Sequence, residues 1–189
     1  PMNSIFLKKG FTIIEVVITV AIISLIPVIV ISNFPKIKFQ FALSRAVHAF
    51  AQEVRSVRDL ALSSDEYTDS FGVVQPINGY GIHINLSTLG NKKYIIYADK
   101  KPGNSMYDEL DYIVKTVNFS GTEPGIIIKD LQGVVGNKVS INFSPPLPFT
   151  AIETLDAEQV QVGIIFSVAS DNTKTKVVSV NKSGLIETQ

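Results

Sequence analysis

Three patterns of hydrophobic and polar positions succeed one another along the chain. Residues 11–31, FTIIEVVITVAIISLIPVIVI, are apolar on every side apart from Thr12, Glu15, Thr19 and Ser24, with Pro27 inside the run. From Leu43 the pattern becomes amphipathic. Leu43, Val47, Phe50, Val54, Val57 and Ala61 recur in alternating steps of four and three, one stripe of a helix, while Arg45, His48, Gln52, Glu53, Arg55, Arg58 and Asp59 fall off it. Pro27 and Pro35 each remove a backbone donor, which predicts a tolerated kink at each, with an interruption of the helix as the alternative. After about residue 70 the period changes to two. Tyr80, Ile82, Ile84 and Leu86 alternate with Gly81, His83 and Asn85, which predicts a half-buried strand with His83 on its outer face. Further strands are predicted at Tyr94–Ala98, Tyr112–Phe119, Ile126–Lys129, Val139–Phe143, Gln159–Val168 and Lys176–Val180. Turn signals at Leu89–Asn91, Lys101–Asn104, Glu123–Gly125, Gly136-Asn137 and Asp171-Asn172 separate them, and Pro145, Pro146 and Pro148 mark a loop. The expectation is an α+β fold: a long N-terminal α-helix, with a membrane-spanning half and an amphipathic half, packed on an antiparallel β-sheet.

The first segment changes the picture most. As a helix, 21 residues rise about 31 Å, enough for a hydrocarbon core. Lys8 and Lys9 precede it, so the charge asymmetry retains residues 1–10 in the cytoplasm and exports the chain beyond the apolar run. A cleaved secretory signal fits less well, since the run is long and no A-x-A-like site comes after it. Glu15 is the anomaly, because an acidic residue at mid-membrane costs about 2.5–3.5 kcal/mol and requires a partner.

The ordered string KKGFTIIEVVITVAIISLI, a basic pair, Gly, Phe-Thr, two aliphatics, Glu and an apolar run, closely resembles the class III leader and N-terminal helix of type IV pilins and type II secretion pseudopilins. The resemblance implies cleavage between Gly10 and Phe11 by a prepilin peptidase, with Lys8 and Lys9 in the leader, and N-methylation of Phe11. It also implies that Glu15 meets the Phe11 amine of a neighbouring subunit and sets register during assembly. Removal of the leader creates a cationic amine, with which a carboxylate one turn along pairs favourably at low dielectric. Pro1 is an odd first residue, and a start at Met2 leaves the leader MNSIFLKKG. The later strings GYGIHIN, YIIYADKKPGNSMYDELDYI, VSINFSPPLPFTAI and VNKSGLIE are similar, more loosely, to minor pseudopilins and minor pilins of the GspH/FimT group. The implied plan is pilin-like: leader 1–10, transmembrane or filament-core helix 11–35, amphipathic exported helix 36–66 and β-rich head 67–189. The implied localisation is that of a single-pass cytoplasmic-membrane protein with an exported C-terminal domain, carried into a filament on assembly.

Composition narrows the chemistry. The chain has 189 residues, 17 Lys+Arg against 17 Asp+Glu, two His, no Cys and no Trp. Without Cys there is no disulfide framework, thiol nucleophile or Cys-ligated metal. No H-x-x-x-H spacing, G-x-S-x-G elbow or Gly-rich phosphate loop occurs, so neither an enzyme nor a cofactor is expected, and His48 and His83 are read as surface residues. Asp99, Asn104 and Asp108 are candidate calcium ligands from one acidic loop, weighed against a solvated hairpin. Beyond Pro35 the count is 15 basic residues (17 less Lys8 and Lys9) and 16 acidic ones (17 less Glu15), with all three arginines on the helix. That balance argues against nucleic acid as a partner. The expected partners are other pilin or pseudopilin subunits, the prepilin peptidase and, through residues 11–31, the membrane. The functional expectation is a non-catalytic filament subunit. Its alternatives are a membrane-anchored binding domain that never polymerises, a DNA-uptake minor pilin, and a major pilin.

Overall fold

The computed structural model describes residues 10–189 apart from 64, 65, 70, 146–148 and 156, and the side chains of 28–30, 32 and 33 also lie outside the description. Two compact units divide between Lys38 and Phe39. Helix α1 (Ile13–Ser63) is 51 residues long. Thr12 caps it: its Oγ1 accepts from Glu15 N at 3.3 Å and its carbonyl from Val16 N at 3.2 Å. Thr12 and Glu15 have the capping-box spacing, and an acidic residue in the first turn suits the positive end of the helix dipole. Pro27 and Pro35 lie inside α1 and do not end it, so both are tolerated within the helix. Each forfeits one bond, to the carbonyls of Ile23 and Ile31, while the surrounding ladder holds the helical course.

The membrane-spanning half of the expected fold is corrected. Among the described residues, no helix is long and apolar enough to cross a membrane. The expected membrane-spanning half of the fold and the single-pass inner-membrane localisation are therefore not supported.

The α+β expectation of one helix on one sheet is corrected as well, since the chain is mostly antiparallel β-structure in two sheets. The strands are β1 (Glu66–Thr68), β2 (Val74–Asn85), β3 (Lys93–Lys100), β4 (Tyr112–Asn118), β5 (Ile126–Gln132), β6 (Lys138–Ser144), β7 (Phe149–Thr154), β8 (Gln161–Val168), β9 (Asp171–Asn181) and β10 (Ile186–Thr188), with a short helix α2 (Phe119–Thr122) between β4 and β5. The six-stranded sheet runs β4-β3-β2-β6-β7 with β1 on β2, and the four-stranded sheet runs β10-β9-β8-β5. The chain leaves the first sheet for β5, returns for β6 and β7, and leaves again. Strand β7 has no counterpart among the predicted strands. Its β-branched positions Thr150, Ile152 and Thr154 carry the signal, overshadowed by the proline-rich stretch before it; Pro146 and Pro148 lie outside the described residues. The β8–β9 turn falls at Ala169-Ser170, and Asp171-Asn172 already belong to β9.

Within the unit Phe39–Gln189 the stripe Leu43, Val47, Phe50, Val54, Val57 and Ala61 is buried throughout. Phe50 meets Tyr94 of the first sheet edge-to-face at 5.1 Å and Phe166 of the second at 5.3 Å. Phe119 of α2 closes the same cluster against Tyr94 and Phe166 at 5.5 and 5.7 Å. Helix stripe and both sheets therefore share one core. Arginines tie the polar side of α1 to distant loops. Arg45 clasps Glu123 through two bonds of 2.7 and 2.9 Å, while Arg55 and Arg58 donate to the carbonyls of Ile186 and Gly184, both at 3.3 Å.

Candidate functional site

The N-terminal part of α1 is the first candidate. Gly10 and Phe11 are exposed, Phe11 to 80%, and Lys8 and Lys9 lie outside the described residues. Ile13, Ile14, Val17, Val20, Ile23 and Leu25 are each more than half exposed, so this part of α1 carries an exposed apolar surface. The hydroxyls among them turn back onto the helix. Thr19 donates to the carbonyls of Glu15 and Val16 at 3.0 and 2.9 Å, and Ser24 to that of Ala21 at 2.8 Å. Such bonds hide the hydroxyl dipole from an apolar neighbour. The Glu15 carboxylate is exposed and has no hydrogen-bond or ion-pair partner among the described residues.

The acidic loop after β3 is the second candidate, and here the structure departs from expectation. Residues 101–111 fold as a strap over the outer face of the six-stranded sheet. His83 lies on that face, as its alternation requires, but it is buried, not solvated. Its Nδ1 is 2.9 Å from Ser140 Oγ and its ring is 4.8 Å from the Tyr107 ring of the strap. Burial, and then the Lys138 cation, depress its pKa to about 4. His48 is exposed on α1. Tyr97 OH donates to the Ser105 carbonyl at 2.9 Å, and Tyr107 N donates to Ser140 Oγ at 3.1 Å. Glycines make room for this packing: a Cβ on Gly81 would lie 2.6 Å from the Tyr97 ring.

Asp99, Asn104 and Asp108 line one cavity of about 210 Å³, together with Asp111. Each has one side-chain oxygen engaged within the protein. Asp99 is a β3 residue and buried; its Oδ2 accepts from Ser105 N, Asn78 Nδ2 and Asn142 Nδ2 at 3.0, 3.2 and 3.3 Å. Asn104 Oδ1 accepts from Met106 N at 2.9 Å and Asp108 Oδ1 from Leu110 N at 2.7 Å. Burial raises the pKa of Asp99 and of Asp111. Among the described residues no group of three His, Cys, Asp or Glu side chains is placed to hold a metal ion. The strap is thus organised by hydrogen bonds within the protein. Sequence reasoning misses Thr12 as the helix cap, and Ser140 and Asn142 as anchors of the strap. The T-x-x-E string signals the first, whereas only strand pairing across the sheet brings Ser140 to His83 and Asn142 to Asp99.

Compared with protein-family models, curated proteins and solved structures, the chain matches none.

Proposed function

We propose that the protein is a non-catalytic structural subunit of a type IV pilus or type II secretion pseudopilus. A prepilin peptidase cuts between Gly10 and Phe11, the new Phe11 amine is methylated, and copies assemble through the N-terminal part of α1. The observation that supports this reading is the exposed apolar surface of Phe11–Leu25 with one carboxylate, Glu15, set into it that has no partner among the described residues. A contiguous apolar surface of this kind marks a contact with another molecule, and its burial between copies supplies cohesion at about 25 cal/mol per Å². Glu15 supplies direction. Inside such a contact a lone carboxylate is costly, and the Phe11 amine of a neighbour satisfies it only at one axial offset. A head-to-tail contact of this type is heterologous and generates an open helical array.

The test is mass spectrometry of the N-terminal peptide from cells producing the full chain and from their sheared surface fraction. The expected species starts at Phe11, carries one added methyl group and is recovered in the sheared fraction. An intact Lys8-Lys9-Gly10 leader in every fraction sinks the proposal. With processing intact, Glu15→Ala is expected to abolish recovery in the sheared fraction.

A further inference from the structure

The seam between the two sheets carries a second feature. Ile128 N of β5 donates to the Asn91 carbonyl of the β2–β3 turn at 2.8 Å, joining the sheets at one point. Beside that bond opens a cleft of about 580 Å³ lined by Leu86, Gly90, Asn91, Ile127, Ile128, Lys129, Asn137 and Asn172. This volume lies in the usual range for small-molecule sites, about 300–1,000 Å³. Among its lining residues, Leu86 and Ile127 are partly exposed aliphatic side chains, Ile128 is buried in the core, and Asn91, Asn137, Asn172 and Lys129 bring three carboxamides and one ammonium from four separate stretches of chain.

Lys129 Nζ is held at the rim by the neutral Asn172 carbonyl at 3.1 Å, and no carboxylate lies within ion-pair distance of it among the described residues. The nearest acids in sequence are engaged locally: Asp130 Oδ1 accepts from Leu131 N at 2.8 Å, and Asp171 Oδ1 accepts from Thr173 N at 3.2 Å. Among the described residues the Asn137 carboxamide has only a long contact to Ser87 Oγ at 3.5 Å, and Asn172 Oδ1 lies 3.4 Å from Ser167 Oγ, so both retain donors for a ligand.

We infer that this seam cleft binds the carboxylated sugar units of an acidic glycan. The carboxylate pairs with Lys129, the ring hydroxyls exchange hydrogen bonds with Asn91, Asn137 and Asn172, and the ring's C–H face rests on Leu86 and Ile127. A carboxamide both donates and accepts, which matches a hydroxyl, and a single cation with several amides matches one carboxylate among many hydroxyls. An extended polyanion would need a row of cations instead.

The test uses the full chain in detergent micelles and saturation-transfer NMR with digalacturonate, against maltose and inorganic phosphate. Digalacturonate is expected to bind, maltose and phosphate to bind at least tenfold more weakly, and Lys129→Met to weaken digalacturonate by about tenfold, the worth of one charged hydrogen bond. Asn137→Ala is expected to weaken it by a smaller factor while leaving the melting temperature within a few degrees. No digalacturonate signal, equal binding of maltose or phosphate, or digalacturonate binding unaffected by both variants each overturns the assignment. Neither variant touches the Phe11–Leu25 surface, so this outcome is independent of the filament reading.

Discussion

His83 shows how much one residue's setting depends on what covers it. Its unfolded imidazole titrates near about 6.5, and in the fold burial and Lys138 hold it at about 4. The native state therefore binds fewer protons than the unfolded chain. Stability from the neutral ring is complete above pH ~6.5 and is lost as pH falls toward about 4, on the order of 3 kcal/mol across that window. Asp99 and Asp111, whose pKa values are raised, act in the opposite direction as pH falls, but they are common to wild type and variant. His83→Gln should flatten the fall, so urea unfolding at pH 7 and pH 4.5 is expected to show a smaller difference for the variant. Parallel profiles would mean that the ring is not held neutral. In sequence, His83 reads as an outward residue of an alternating strand, and it is one. Alternation assigns a face and says nothing about a later loop lying on that face.

At the scale of elements, the strap 101–111 is tied down by a few polar anchors beside the ring contacts of Tyr107. Asp99 Oδ2 is the common acceptor for one strap amide, Ser105 N, and two sheet carboxamides, Asn78 and Asn142. Asp99→Ala leaves the Asn142 amide buried without its acceptor, for a cost of about 1–3 kcal/mol, partly offset by removal of a buried charge. The sharper readout is amide exchange. Ser105 N is expected to exchange markedly faster in Asp99→Ala, while the β2–β6 ladder keeps its protection. Unchanged exchange at Ser105 would show that the strap is held by Tyr97 and Tyr107 alone. Elements with strong periods are legible in the sequence: the amphipathic stripe of α1 matches the buried positions, and Tyr80, Ile82 and Ile84 are buried as predicted, although Gly81 and His83 on the other face are buried too and Leu86 only partly. Strand β7 and the Ala169-Ser170 turn are not, because their local signals are weak and cross-strand pairing decides them.

For the whole molecule, Phe50 is the junction. It is fully buried and touches aromatic rings from both sheets. Phe50→Ala leaves a cavity where α1, β3 and β8 meet, and a loss of about 3–5 kcal/mol is expected in thermal unfolding followed by near-ultraviolet circular dichroism. Phe71, exposed to 89%, is the control: Phe71→Ala should stay within about 0.5 kcal/mol of wild type. Equal losses would mean that the two sheets do not share a core.

The sequence by itself determined the local periods: an apolar run from Phe11, an amphipathic stripe from Leu43, and alternation after residue 70. These periods arise from side-chain chemistry and from the 3.6- and 2-residue repeats of the backbone, which need no distant partner. It also placed Glu15 in apolar surroundings, the observation on which the filament proposal rests. Only the tertiary structure decided that the strands divide between two sheets, that a polar strap buries His83 and Asp99, and that Asn91, Lys129, Asn137 and Asn172 surround one cleft. Each of these joins residues far apart along the chain. Such contacts are set by the shared burial and hydrogen bonding of the assembled whole, which a local pattern does not encode.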